Sequence, residues 1–147
     1  MSAAPEEEPA RRPPNRVIAT WKSGLVMESS RADGAAPPMV IDGNTKEAQG
    51  PVDALLSALA ACAASDVVLI LEKQRTPLEV MEVEVIGTRV ETTPRRLAHV
   101  QLKFRIGGKG ITQVAAMRAV ELAVTKYCSV RDSLRPDVPV EFEVTLV

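Results

Sequence analysis

"PVDALLSALAACAASDVVLILEKQ", residues 51–74, decides how the rest of the chain is read. Pro51 suits the first turn of a helix, where its missing N–H is not needed, and Asp53 complements the positive end of the helix dipole. The run that follows is apolar nearly all round and long enough to raise the question of a membrane span, yet Asp53, Ser57, Ser65 and Asp66 interrupt it. A buried central helix from Pro51 to about Gln74 is therefore expected, with no membrane partner. One sheet face cannot cover a helix that is apolar on every side, so a second copy of the chain is expected to bury the remainder, as a homodimer.

Outward from this helix the pattern changes to period two. Upstream, β-branched residues flank the turn signal "KSG", which predicts a hairpin from Val17 to about Ser29. The turn-rich stretches "RADGAAPP" and "IDGN" then bracket a short edge strand at Met39–Ile41. Downstream, "LEVMEVEVIGTRVE" sets Met81, Val83 and Val85 against Val80, Glu82 and Glu84, and "LAHVQLKFRI" turns Ala98, Val100, Leu102, Phe104 and Ile106 inward. Leu97, His99, Gln101, Lys103 and Arg105 then face outward. A second helix through "ITQVAAMRAVELAVTKY" would share a face among Val114, Ala115, Ala119, Leu122 and Ala123 and stop near Cys128. "VEFEVTLV" closes the chain as a strand. Antiparallel strands segregated from two helices that cover one face make the class α+β.

With 147 residues the chain suits one domain, placed at 16–147 behind a disordered tail rich in Pro, Glu and Arg over 1–15. A net charge of −1 with both signs interspersed gives no basic stripe, so nucleic acid is not an expected partner. Two cysteines and one histidine, unclustered, do not make a metal site. The tail lacks the apolar core of a secretion signal, so a reducing cytoplasm is expected, where paired thiols are more often catalytic or redox-sensing than structural.

Taken singly, Cys62 reads as a small core residue among alanines, and Cys128, in "KYCSV", as a partly buried residue closing a helix. Asp66 lies one turn beyond Cys62 and reads as structural, His99 as a solvated strand residue, and Trp21 and Tyr127 as core or interface aromatics. Taken together, "PVDALLSALAACAASDVVLILEKQR" followed by "RAVELAVTKYCSV" resembles the OsmC/Ohr family of thiol peroxidases, over roughly Val17 to Val147, on the side of the less characterised OsmC-like branch.

The resemblance implies an OsmC-like fold and an intertwined homodimer with the long helices central and the active sites at the subunit interface. It implies reduction of organic hydroperoxides, and of hydrogen peroxide, without metal, haem or flavin. Cys62 would be the peroxidatic thiol, Cys128 the resolving one, and an external dithiol of lipoyl type the reductant. Such a thiol must ionise near neutral pH, which demands a cation or directed hydrogen-bond donors. The best-understood members supply an arginine from the early hairpin and a glutamate just after the helix-opening proline. Here Val52 stands at the glutamate's place, and Asp53, one residue on, matches the acidic position of the OsmC-like branch while also reading as an ordinary first-turn acid. Lys22, Arg16 and Arg31 are the candidates for the cation. Two other functions share these features: a non-catalytic dimer that binds a small apolar or thiol ligand, and a cysteine redox sensor.

Overall fold

The computed structural model describes residues 10–147. The tail expected over 1–15 falls mostly outside the described residues, and 10–16 carry no regular secondary structure. The chain divides into two compact units at Gly50 and Pro51.

In the first unit, β1 (Val17–Ser23), β2 (Val26–Arg31) and β3 (Met39–Asp42) form an antiparallel sheet in that order, with β3 at the edge as the turn signals imply. Gly24 turns the first hairpin at φ +51°, a conformation that a side chain resists. Its carbonyl accepts from the indole N–H of Trp21 at 2.9 Å. Trp21 itself is exposed rather than a core residue. Asp42, at the end of β3, is the buried polar side chain of this unit, 2% exposed. Its carboxylate accepts the backbone N–H groups of Asn44, Lys46 and Glu47 at 2.9, 3.0 and 2.9 Å, which gathers the whole loop around one side chain. These donors, against some burial, hold it below the usual carboxylate range.

The second unit begins with α1 (Pro51–Lys73), within one residue of the predicted end. Leu59, Ala63, Val67 and Leu71 recur every fourth position and form its buried stripe. Leu55 and Leu69 stay exposed, so within one chain α1 is buried along one side only, although it is long and apolar enough to cross a membrane. β4 (Val80–Arg89), β5 (Leu97–Gly107) and β6 (Val140–Leu146) make a sheet with β5 in the middle. Its register lines up Val83, Phe104 and Val144 in one row and Val85, Leu102 and Phe142 in the next, which gives one continuous apolar face. Gly87 admits α1 at close range: a Cβ there would meet Leu56 Cδ1 at 2.9 Å and Leu97 Cδ2 at 2.8 Å.

Three details depart from the pattern reading. β6 pairs parallel to β5, because the helical crossover between them returns the chain to the same end of the sheet. Alternation reports faces and carries no information on direction. Leu97 is buried rather than outward, since the register shifts between Thr88 and Arg89 and displaces the alternation at that end. The second helix is not continuous: α2 (Gln113–Leu122) passes into a single π turn, Ala123–Tyr127, and a one-turn α3 (Ser129–Asp132) follows. The buried face of α2 and the π turn is Ala116, Ala119, Val120, Ala123 and Val124, while Val114, expected inside, is 78% exposed.

Candidate active site

Cys62 lies one residue before Ala63, at the margin of α1's buried stripe, and is half-buried. In the interior of a regular helix every backbone N–H already serves a carbonyl four residues back, so α1 can position this sulfur but cannot solvate its charge. The charge must be met from another element.

That element is the interrupted helix. The N–H of Cys128 reaches the Ala123 carbonyl at 2.9 Å, one residue further back than an α-helix allows, and Cys128 then leaves helical geometry at φ −69°, ψ 104°. The break frees the first N–H groups of α3. Arg131 donates its own to Cys128 Sγ at 3.4 Å, and those of Ser129 and Val130 favour the charged form of Cys62. Ser129 also brings its hydroxyl to 3.7 Å from Cys62 Sγ, and Cys128 lies close enough to help lower the Cys62 thiol.

The two sulfurs consequently titrate in opposite directions. Burial alone would push the Cys62 thiol up, but the Val130 N–H, the Cys128 thiol, and the hydroxyl and N–H of Ser129 outweigh it and hold the thiol below its ordinary value. Cys128 is 3% exposed, deeper than a residue that merely closes a helix. Burial pushes its thiol up, and its position beside Cys62 adds to this against the Arg131 N–H. Both thiols are free. The arrangement sets an activated thiol against a protonated one, the polarity that attack followed by resolution requires.

Of the residues singled out in the sequence, the structure brings Cys62 and Cys128 together. Asp53 stands in the first turn of α1, nine residues before Cys62, about 13 Å of helical rise away. Lys22, Arg16 and Arg31 belong to the other unit, and Arg31 is paired with Asp33. His99 bonds Glu141 at 2.8 Å between β5 and β6. Tyr127 is exposed, with the Lys126 ammonium 5.4 Å from its ring centre. The donors from Ser129 and Val130 were missed. Their signal, "CS" closing a helical pattern, is a polar residue able to restart a helix, but only the π turn aims it at α1. Among the described residues no three His, Cys, Asp or Glu side chains converge as metal ligands.

Comparison with known proteins agrees on the architecture. The OsmC-like protein family matches residues 43–143. Protein YhfA of Escherichia coli K12 is 37% identical over 111 residues, covering 75% of this chain and 81% of that one. Among solved structures, an OsmC-like protein from Mycoplasma pneumoniae aligns with a TM-score of 0.79 at 19% identity, covering 93% of this chain and 99% of the other. The organic hydroperoxide resistance protein OhrB of Bacillus subtilis aligns at 0.61 and 16% identity, over 90% and 98%. At these identities the two structures share the fold with this chain.

Proposed function

The chain belongs to the OsmC-like protein family, and from that premise we propose that it is a thiol peroxidase reducing organic hydroperoxides through a Cys62–Cys128 disulfide cycle. The observation that carries this reading is the Cys62 sulfur, 3.7 Å from the Ser129 hydroxyl and beside Cys128, in surroundings that hold its thiol below the ordinary value.

In the cycle, the Cys62 thiolate attacks the distal oxygen of the hydroperoxide. The S–O bond forms as the O–O bond breaks, and the departing alkoxide takes up a proton to leave as alcohol. Cys62 is now a sulfenic acid. Cys128 gives up its proton and attacks that sulfur; the disulfide forms and the hydroxyl departs as water. An external dithiol of lipoyl type returns the disulfide to two thiols and is itself oxidised to a disulfide. Asp53, too far along α1 to touch its own Cys62, would act by ordering the start of the helix. The exposed Leu55, Leu69 and Tyr127 give a second subunit apolar surface to cover, which supports a homodimer built on α1. Free thiols suit a reducing cytoplasm.

The test is mass spectrometry after one equivalent of cumene hydroperoxide, with dihydrolipoamide turnover measured in parallel. The expected result is a Cys62–Cys128 disulfide and continuous consumption of peroxide. Absence of both sulfenic acid and disulfide at Cys62, with no turnover, refutes the activity.

A further inference from the structure

Arg131 supplies its backbone N–H to the site, yet its side chain has no role in the cycle above. Its Nε is buried from solvent with no hydrogen-bond partner, and no ion pair engages the guanidinium among the described residues. A guanidinium keeps its charge at any pH a protein meets, so one without an ion pair leaves a charge to be met from outside the chain. Where it stands is informative. Arg131 lines a cleft of about 280 Å³ together with Tyr127, Cys128 and Ser129, and Lys126 lines the same cleft. Asp132, the acid of the cleft, pairs with neither cation. The opening beside Cys128 therefore carries an excess of positive charge and a guanidinium without an ion pair.

We propose that Arg131 anchors a carboxylate carried by one of the two reactants that meet the Cys62–Cys128 pair, the hydroperoxide or the reducing dithiol. The two terminal nitrogens of a guanidinium present parallel donors at the spacing of a carboxylate's coplanar oxygens, so one contact meets the unpaired charge. Neutral reactants leave that charge unanswered. Arg131 is thus a specificity-determining residue, while the backbone donors at Ser129 and Val130 serve every substrate alike. This assignment rests on the peroxidase reading for its reactants but on the cleft alone for its ligand chemistry.

The experiment uses the full chain as wild type, Arg131→Gln and Arg131→Lys. Rates of Cys62 oxidation are measured with cumene hydroperoxide and with its para-carboxylate. Rates of disulfide reduction are measured with dihydrolipoamide and with dihydrolipoate. In one of the two arms the wild type is expected to favour the acid, and Arg131→Gln to lower the acid-to-neutral rate ratio about tenfold, the effect of losing a charge-assisted bidentate contact. Arg131→Lys restores part of it, since a point charge attracts the acid without holding its plane. The arm that responds names the reactant. Equal ratios in all three proteins in both arms overturn the anchor, as does a change confined to the monomer–dimer equilibrium, which would hand the fork to a neighbouring subunit. Should no peroxide oxidise Cys62, the peroxidase reading falls, and binding of 4-isopropylbenzoate against its methyl ester to Cys62→Ser, followed by NMR, decides the anchor separately. Tighter binding of the acid that depends on Arg131 upholds it, and equal binding overturns it.

Discussion

Cys62 and Cys128 face one another from backbones of opposite kinds. Cys62 sits near the middle of a regular helix of 23 residues; Cys128 sits where a π turn ends and a four-residue helix begins. Regular helix offers rigidity and no spare donors, whereas the broken segment offers several donors and little rigidity of its own. In the cycle proposed above, one element would hold the reacting sulfur still and the other would solvate its charge.

The largest expected effect removes the comparison outright. Cys62→Ser should reduce peroxide consumption to background, whereas Cys128→Ser should leave Cys62 able to react once and then stall as the sulfenic acid, seen as a single burst trapped by a sulfenic-acid reagent. Next comes making the two backbones alike. Deleting the exposed Lys126 is expected to convert the π turn to ordinary helix and to draw the Ser129 and Val130 N–H groups into helical bonds, away from Cys62. The expected outcome is a loss of about tenfold in the rate of Cys62 alkylation at pH 7, the scale of hydrogen bonds to a charged group, with circular dichroism unchanged. Retention of the wild-type rate would show that the donors do not activate Cys62. Ser129→Ala removes the hydroxyl and keeps both N–H groups, so about a threefold slowing is expected in the same assay.

The smallest effect is on stability. The folded Cys62 thiol lies below its unfolded value of about 8.5, so its contribution is complete above that value and is lost as pH falls through the folded one. Cys128, raised on folding, runs the other way and stabilises only while protonated. In a Cys128→Ser background, the difference in Tm made by Cys62→Ser should therefore be greater at pH 9 than at pH 6. A difference independent of pH would mean the remaining donors leave the thiol unshifted.

How much of this could be read from residues alone depended on what kind of information each feature carries. Alternation through Val80–Arg89 and Leu97–Gly107, and the Pro51 start of α1, follow from local periodicity and backbone chemistry, and the observed elements match them closely. The α+β class and the family resemblance followed from the same segments, which the fold and the family match agree with. The direction of β6 did not, because strand pairing is settled by the crossover and not by the strand. Nor did the π turn, since "AVTKY" contains no glycine or proline and keeps helical periodicity up to the break. Both cysteines were identifiable from their settings, but Arg131 reaches Cys128 through a backbone N–H, which no side chain advertises, and the Ser129 hydroxyl reaches Cys62 only because of the break before it.

The loop held by Asp42 carries a consequence of a different order. One carboxylate is the common acceptor for three separate amides, so a single proton can dismiss all three. The segment from Asn44 to Glu47 is then a cooperative opening unit keyed to acid. On entry into the pH range where this carboxylate titrates, below that of an ordinary aspartate, the three amides should lose their protection from solvent exchange in step rather than one after another.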